Sequence, residues 1–153
     1  MLTDKYNAYS FLLDRTARRV KQYAQYQFNC QQFGITVDQW AILKNLRQHT
    51  DLSQKELADC CGKDQPTLTR IVDILVSKKL VERRPNPTDR RSFVVHLTAA
   101  GVQKVEDLSA KVSEIRMQAW KALNDDDFEQ LKRILNTIYA NLEIQDGNTR
   151  TPD

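Results

Sequence analysis

The sequence is poor in residues that interrupt or cross-link a chain. Its 153 residues include 4 Gly, 4 Pro and 3 Cys, and no Gly or Pro precedes Gly34. The first 33 residues therefore have room for one unbroken helix. The cysteines, Cys30, Cys60 and Cys61, are odd in number, which argues against a disulfide framework. Cys60 and Cys61 are also adjacent, and neighbouring Cα atoms ~3.8 Å apart make a poor disulfide. No apolar run approaches the ~20 residues that span a bilayer. The opening residues, MLTDKYNAYS, lack a basic segment followed by an apolar core. The expectation is a cytoplasmic protein with no membrane partner. The two histidines, His49 and His96, have no paired spacing suited to a metal. With no nucleophile–base pair and no glycine-rich phosphate loop, the expectation is a non-enzyme without metal or cofactor.

What is present is unevenly distributed charge. The net charge is only +3, but residues 78–91 hold six Lys/Arg against two acids, a local +4. Residues 99–153 hold seven Lys/Arg against ten acids. A basic stretch of this kind suits a polyanion, and the acidic C-terminal segment suits a surface turned away from it.

Periodicity divides the chain. A first helix is expected from about Asp4 to Phe33, with an apolar stripe at Leu2, Tyr6, Tyr9, Leu13, Ala17, Val20, Ala24 and Gln27 or Phe28, and with Gly34 as its cap. Thr36-Val37-Asp38-Gln39 and Ser53-Gln54-Lys55-Glu56 are capping boxes that start two further helices. Asp64 followed by Pro66 starts a fourth, with Leu68, Ile71, Val72 and Leu75 on its buried side. The period then changes to two: Val81 and Arg83, then Phe93, Val95 and Leu97, flank a turn at Pro85-Asn86-Pro87-Thr88-Asp89, which predicts a two-stranded wing. Thr98 starts a fifth helix, and Asp125-Asp126-Asp127 the acidic first turn of a sixth, with Phe128, Leu131, Leu135, Ile138 and Leu142 as its stripe.

The predicted fold is mainly α with a small β-wing: a winged helix-turn-helix flanked by long helices, which the family resemblance below makes a helical dimerisation region. Residues 1–34 are expected to form the N-terminal helix, 35–98 the DNA-binding domain, 99–145 the C-terminal helices and 146–153 a flexible tail. A recognition helix at about 64–79 would enter the major groove and a wing at about 81–97 the minor groove. Gln65, Pro66, Thr67, Thr69 and Arg70 lie at the start of that helix, where side chains reach base edges. Arg suits guanine, Gln suits adenine, and the Thr methyl suits thymine. Arg90 and Arg91 stand at the wing tip, where narrow minor grooves concentrate negative potential. Lys78, Lys79 and Arg84 are phosphate candidates. Asp89, out of place on a DNA-facing loop, is expected to anchor the wing by pairing with an arginine.

Leu57-Ala58, Thr67-Leu68-Thr69-Arg70, Asp73, Leu80-Val81, Arg83, Asp89-Arg90-Arg91, Leu97-Thr98 and Gly101 stand in an order and spacing that resembles the MarR family of bacterial transcription regulators. The resemblance covers nearly the whole chain. It implies a homodimer built on the first, fifth and sixth helices, bound to a pseudo-palindromic double-stranded operator. It makes Arg70 the base-reading arginine and Arg91 the minor-groove arginine. Arg83 and Asp89 become wing-bracing residues, and Ser53 and Gln54 lie near phosphates. It implies release by a small phenolic effector in a pocket for which Tyr9, Leu13, Trp40, Leu43 and Leu46 are candidates, although such stripes are more often core. One position departs: the family usually has Gly where this chain has Lys79. A left-handed backbone there would cost about 1 kcal/mol. A second reading stays open, a redox- or ligand-responsive sensor acting through protein partners without strong DNA binding.

Overall fold

The computed structural model describes residues 2–144; the expected tail at 146–153 lies outside the described residues. The order is α1 (Leu2–Cys30), α2 (Val37–Gln48), β1 (Leu52–Ser53), α3 (Gln54–Cys61), α4 (Gln65–Ser77), β2 (Val81–Pro85), β3 (Phe93–Leu97), α5 (Ala99–Met117), a single 3-10 turn (Gln118–Trp120) and α6 (Asp125–Asn141). Two compact units result, the first ending at Ala119 and the second beginning at Trp120.

In the first unit one apolar cluster joins α1 to α5. Ala24 and Phe28 of α1 pack with Trp40, Ile42, Leu43 and Leu46 of α2, Leu57 and Ala58 of α3, and Leu68, Val72 and Leu75 of α4. Val81 and Val95 from the strands close the cluster, with Val105, Leu108, Val112 and Ile115 of α5. The core is thus continuous across the expected boundaries at 34/35 and 98/99. The two capping boxes form as expected, with the side chains of Thr36 and Ser53 each accepting from the amide three residues on and receiving the reciprocal bond. Asp38, in the first turn of α2, binds Lys21 of α1 and Lys63 of the α3–α4 loop, each at 3.0 Å. Partial burial pushes its carboxyl up, but the two ammonium groups outweigh this and hold it below the usual carboxylate range.

Two expectations fail for local reasons. α1 ends at Cys30, and the left-handed residue that closes it is Gln32, not Gly34. Gln32 N donates to Asn29 O and Phe33 N to Phe28 O, which is the Schellman arrangement. Its usual apolar clasp is present, since the Phe28 and Phe33 rings lie 4.9 Å apart. That contact fixes the stop two residues before the glycine. The sheet has three strands, in the order β1-β3-β2, rather than two. Leu52 and Ser53 pair with Val95 and Val94, a strand too short to produce an alternating pattern.

The main chain at Lys79 and Leu80 joins α4, the wing and α5. Lys79 is left-handed, with φ of 61°. Lys79 N donates to Val76 O and Leu80 N to Leu75 O, again a Schellman stop. The carbonyls then receive α5: Thr98 N donates to Leu80 O at 3.1 Å, and Thr98 Oγ1 donates to Lys79 O at 2.7 Å. Gly101 lies directly over this joint, where a Cβ would come 2.1 Å from Leu80 O and 3.0 Å from Leu97 Cδ2.

In the second unit α6 begins at the N-cap Asn124, which forms a capping box with Asp127. Trp120 meets Phe128 edge to face at 5.8 Å. The expected stripe is uneven: Phe128, Leu131 and Ile138 are half-buried, whereas Leu135 and Leu142 are exposed.

The joint generates two opposite predictions. Gly101→Ala forces Leu80 or α5 to move, and overpacking of this kind costs about 1–3 kcal/mol. Its urea midpoint is expected to fall although Ala favours a helix interior. Lys79→Gly removes the left-handed penalty and is expected to raise stability by about 1 kcal/mol. Equal midpoints for the three proteins would contradict this view of the joint.

Candidate nucleic-acid interface

α4 presents its surfaces as its sequence requires. Leu68, Val72 and Leu75 are buried, and Gln65, Pro66 and Arg70 are exposed. Asp64 caps the helix, its carboxylate accepting from Thr67 N at 2.8 Å. Thr69 is half-buried, and its hydroxyl donates to the Gln65 carbonyl at 2.9 Å. The Arg70 guanidinium is exposed and makes no hydrogen bond or ion pair among the described residues, its charge acting only at longer range on the Asp64 carboxylate.

The wing tip is organised by its own backbone. Asn86 N donates to Ser92 O. Asn86 Nδ2 donates to Ser92 Oγ at 3.0 Å, and Asn86 Oδ1 accepts from Thr88 N at 3.1 Å. The expected ion pair of Asp89 with a neighbouring arginine is absent among the described residues. Its carboxylate accepts instead from Arg91 N at 2.9 Å. A carboxylate two residues before an N–H closes an Asx turn without stretching a long side chain. The result leaves the guanidinium groups of Arg90 and Arg91 exposed and without a partner among the described residues.

Arg83 pairs with α4 and α3 rather than with the wing tip. Its Nη2 lies 2.6 Å from Asp73 Oδ1, and its Nε donates to Gln54 Oε1 at 2.9 Å. Asp73 and Arg83 both belong to the motif, but their pairing, across ten residues and two elements, has no periodic signal.

Three expected contacts are engaged inside the protein. Lys78 Nζ donates to Gly34 O at 2.8 Å and to Gln39 Oε1 at 3.0 Å, tying the end of α4 to the α1–α2 loop. Arg84 pairs with Glu82 on the same strand, Nε to Oε1 at 2.7 Å. Gln54 joins Arg83, as above. Of the six basic side chains in 78–91, only Lys79, Arg90 and Arg91 remain without such a partner among the described residues.

The starts of α3 and α4 and the wing line one groove of about 430 Å³, walled by Ser53, Gln54, Lys55, Glu56, Gln65, Asn86, Asp89, Arg91, Ser92 and Phe93. Ser53, Gln54, Gln65, Asp89 and Arg91 were expected at this site. Lys55, Glu56, Asn86, Ser92 and Phe93 were not. Lys55 could have been noted as the cation beside the second capping box.

The five candidate pocket residues are not brought together within the chain. Trp40, Leu43 and Leu46 are core residues, 3%, 0% and 6% exposed. Tyr9 and Leu13 stand on α1 at 53% and 43% exposure. The thiols separate as their helix faces predict: Cys30 and Cys60 are exposed, and Cys61 is half-buried. Partial burial pushes the Cys61 thiol up. His96 is half-buried on β3, with Nδ1 3.2 Å from Asp51 Oδ1. Among the described residues no helix is long and apolar enough to cross a membrane.

Comparison with known proteins adds the following. The model of the MarR family matches residues 33–92, from the end of the α1 stop to the wing tip, short of β3. The HTH-type transcriptional repressor IacR of Pseudomonas putida is 28% identical over 109 residues, which cover 71% of this chain. The match spans 65% of the repressor's own length. The structure of S. aureus MepR in complex with DNA superimposes with a TM-score of 0.79 and 28% identity, over 88% of this chain and 98% of that one. A mutant of MarR from E. coli complexed with operator DNA gives 0.80 and 27%, over 90% and 98%.

The helix cap yields a prediction with a defined pH sense. The Thr67 N–H holds the Asp64 carboxyl below its usual range. A lowered folded-state value contributes stability above the ordinary Asp pKa of about 3.9, and that contribution disappears as pH falls through the lowered value. Asp64→Ala is expected to be less stable than wild type near pH 6, with the gap narrowing in acid. A gap in urea midpoint that does not change with pH would contradict the assignment.

Proposed function

We propose that this chain is a member of the MarR family, whose model matches residues 33–92, and that it is a homodimeric, sequence-specific DNA-binding transcription regulator, a cytoplasmic repressor released by a small-molecule ligand. The observation that carries this is the shared groove, which puts the start of α4 and Arg91 of the wing on one side of the molecule. A helix start and a basic hairpin on one side match the major and minor grooves of a duplex. Gln65, Thr67 and Arg70 are the base-reading side chains, with Pro66 setting the first turn of the helix. Arg90 and Arg91 approach the minor groove. Ser53, Lys55 and Lys79 lie near phosphate, and Lys78 and Arg84 act within the fold.

The dimer rests on apolar side chains that one chain leaves uncovered. Tyr6, Tyr9, Phe11, Leu12, Leu13 and Val20 of α1 are all exposed, as are Leu135, Tyr139 and Leu142 at α6 and its end. Large exposed apolar side chains on a helix are suited to an interface. A second copy supplies the cover and divides the chain functionally into a DNA-binding part, about 35–98, and dimerisation parts, 1–34 and 99–145. Two-fold symmetry then requires related half-sites one helical turn apart. Trp40, Leu43 and Leu46 are buried in the core of the chain, whereas Tyr9 and Leu13 are exposed on α1.

Light scattering is expected to give twice the chain mass in solution, and a monomeric mass at micromolar concentration would overturn the dimer. On operator DNA, Arg70→Ala is expected to lose ~1–3 kcal/mol of specific binding with little change on scrambled DNA. Arg91→Ala is expected to weaken binding to both and to lower the salt slope by about 1. Wild-type affinity in both variants would remove these assignments.

A further inference from the structure

The first residue of α3 has a contact pattern that a phosphate ligand does not need. Gln54 is half-buried, and both ends of its amide are engaged within the protein. Oε1 accepts from Arg83 Nε at 2.9 Å on β2. Nε2 stands 3.5 Å from Thr69 Oγ1 on the recognition helix. The orientation of the amide is fixed by chemistry, since a guanidinium only donates and must face the oxygen. Thr69 in turn donates its proton to the Gln65 carbonyl and offers its lone pairs to the amide. One side chain therefore joins α3, α4 and the wing.

Its own position is held from both sides. Ser53, immediately before it, caps α3 and pairs with Val94 of β3. Arg83, its partner, lies opposite Val95 on the same strand. Arg83 also reaches the recognition helix directly, through its pair with Asp73, whose carboxylate side chain is 58% exposed, and through a long 3.5 Å bond from Nη2 to Thr69 O. An exposed ion pair is weakened by salt and contributes little. The Gln54 amide is neutral, so its bonds hold at the ionic strengths at which DNA is bound.

We propose that Gln54 is a positioning residue that sets the wing against the recognition helix, acting on DNA through Arg90 and Arg91 rather than by touching phosphate. This rests on the DNA-binding function proposed above. Loss of a neutral phosphate contact releases no counterion and leaves the salt slope unchanged. Loss of wing alignment withdraws charged contacts and lowers the slope.

The test compares Gln54→Ala with wild type in two measurements. In the free protein, amide hydrogen exchange across residues 86–92 is expected to quicken about tenfold while α2 and α5 keep their protection. On an operator duplex, affinity is expected to fall with a salt slope shallower by about one unit. Gln54→Glu keeps an acceptor for Arg83, so its wing exchange is expected to return toward wild type. Unchanged wing exchange in Gln54→Ala, or lost affinity with an unchanged slope, would overturn the proposal, as would a Gln54→Glu wing as unprotected as that of Gln54→Ala. The exchange measurement needs no DNA. A wild-type protein that binds no duplex would therefore count against the proposed function and leave the positioning role separately measurable.

Discussion

The structure depends on what happens at two carbonyl groups. Leu80 O and Lys79 O, freed where the recognition helix stops, are both claimed by Thr98, through its amide and its hydroxyl. Gly101 allows this, because any side chain there would collide with Leu80 O. The direction of α4, the first residue of the wing and the first turn of α5 are thereby fixed together. A backbone joint of this kind cannot slide in the way an apolar contact can. The left-handed Lys79 is its local cost, a strain that the surrounding hydrogen bonds maintain.

From that joint outward, charge is sorted by use. The acids of this region are not misplaced against DNA, because each has an internal task. Asp73 holds Arg83, Glu82 holds Arg84, and Asp89 holds the backbone of the tip. Together with Lys78, half of the basic side chains in the stretch serve the fold. Among the described residues, the cations left without a hydrogen bond or ion pair here are Arg70 on α4, Lys79 at its end, and Arg90 and Arg91 on the wing. A few such cations suit contact at defined positions, whereas a continuous basic face would bind any polyanion.

How much of this was legible in the sequence follows from the range of each interaction. Caps at Thr36, Ser53, Asp64 and Thr98 are three-residue signals, and all four formed as expected. The buried stripe of α4 and the two long wing strands follow from period alone. The stop of α1 was misplaced because it depends on Phe33 folding back on Phe28, a contact that the nearby Gly34 obscures. β1 was missed because two residues show no period. The role of Asp89 turned on a choice between a side chain and its own backbone, which composition does not decide. The stripe of Trp40, Leu43 and Leu46 reads the same in the sequence whether it lines a cavity or fills a core, and the three side chains are buried.

The central claim is that one recognition helix and one wing in each chain of a dimer read a defined duplex. The most direct measurement is selection of bound duplexes from a random pool, followed by fluorescence anisotropy of the wild-type protein on the enriched and scrambled sequences across a salt series. The account predicts two related half-sites one helical turn apart, bound at least ~1,000-fold more tightly than the scramble and weakening steeply with salt. A pool that yields no common sequence, with equal weak binding to all duplexes, would contradict it.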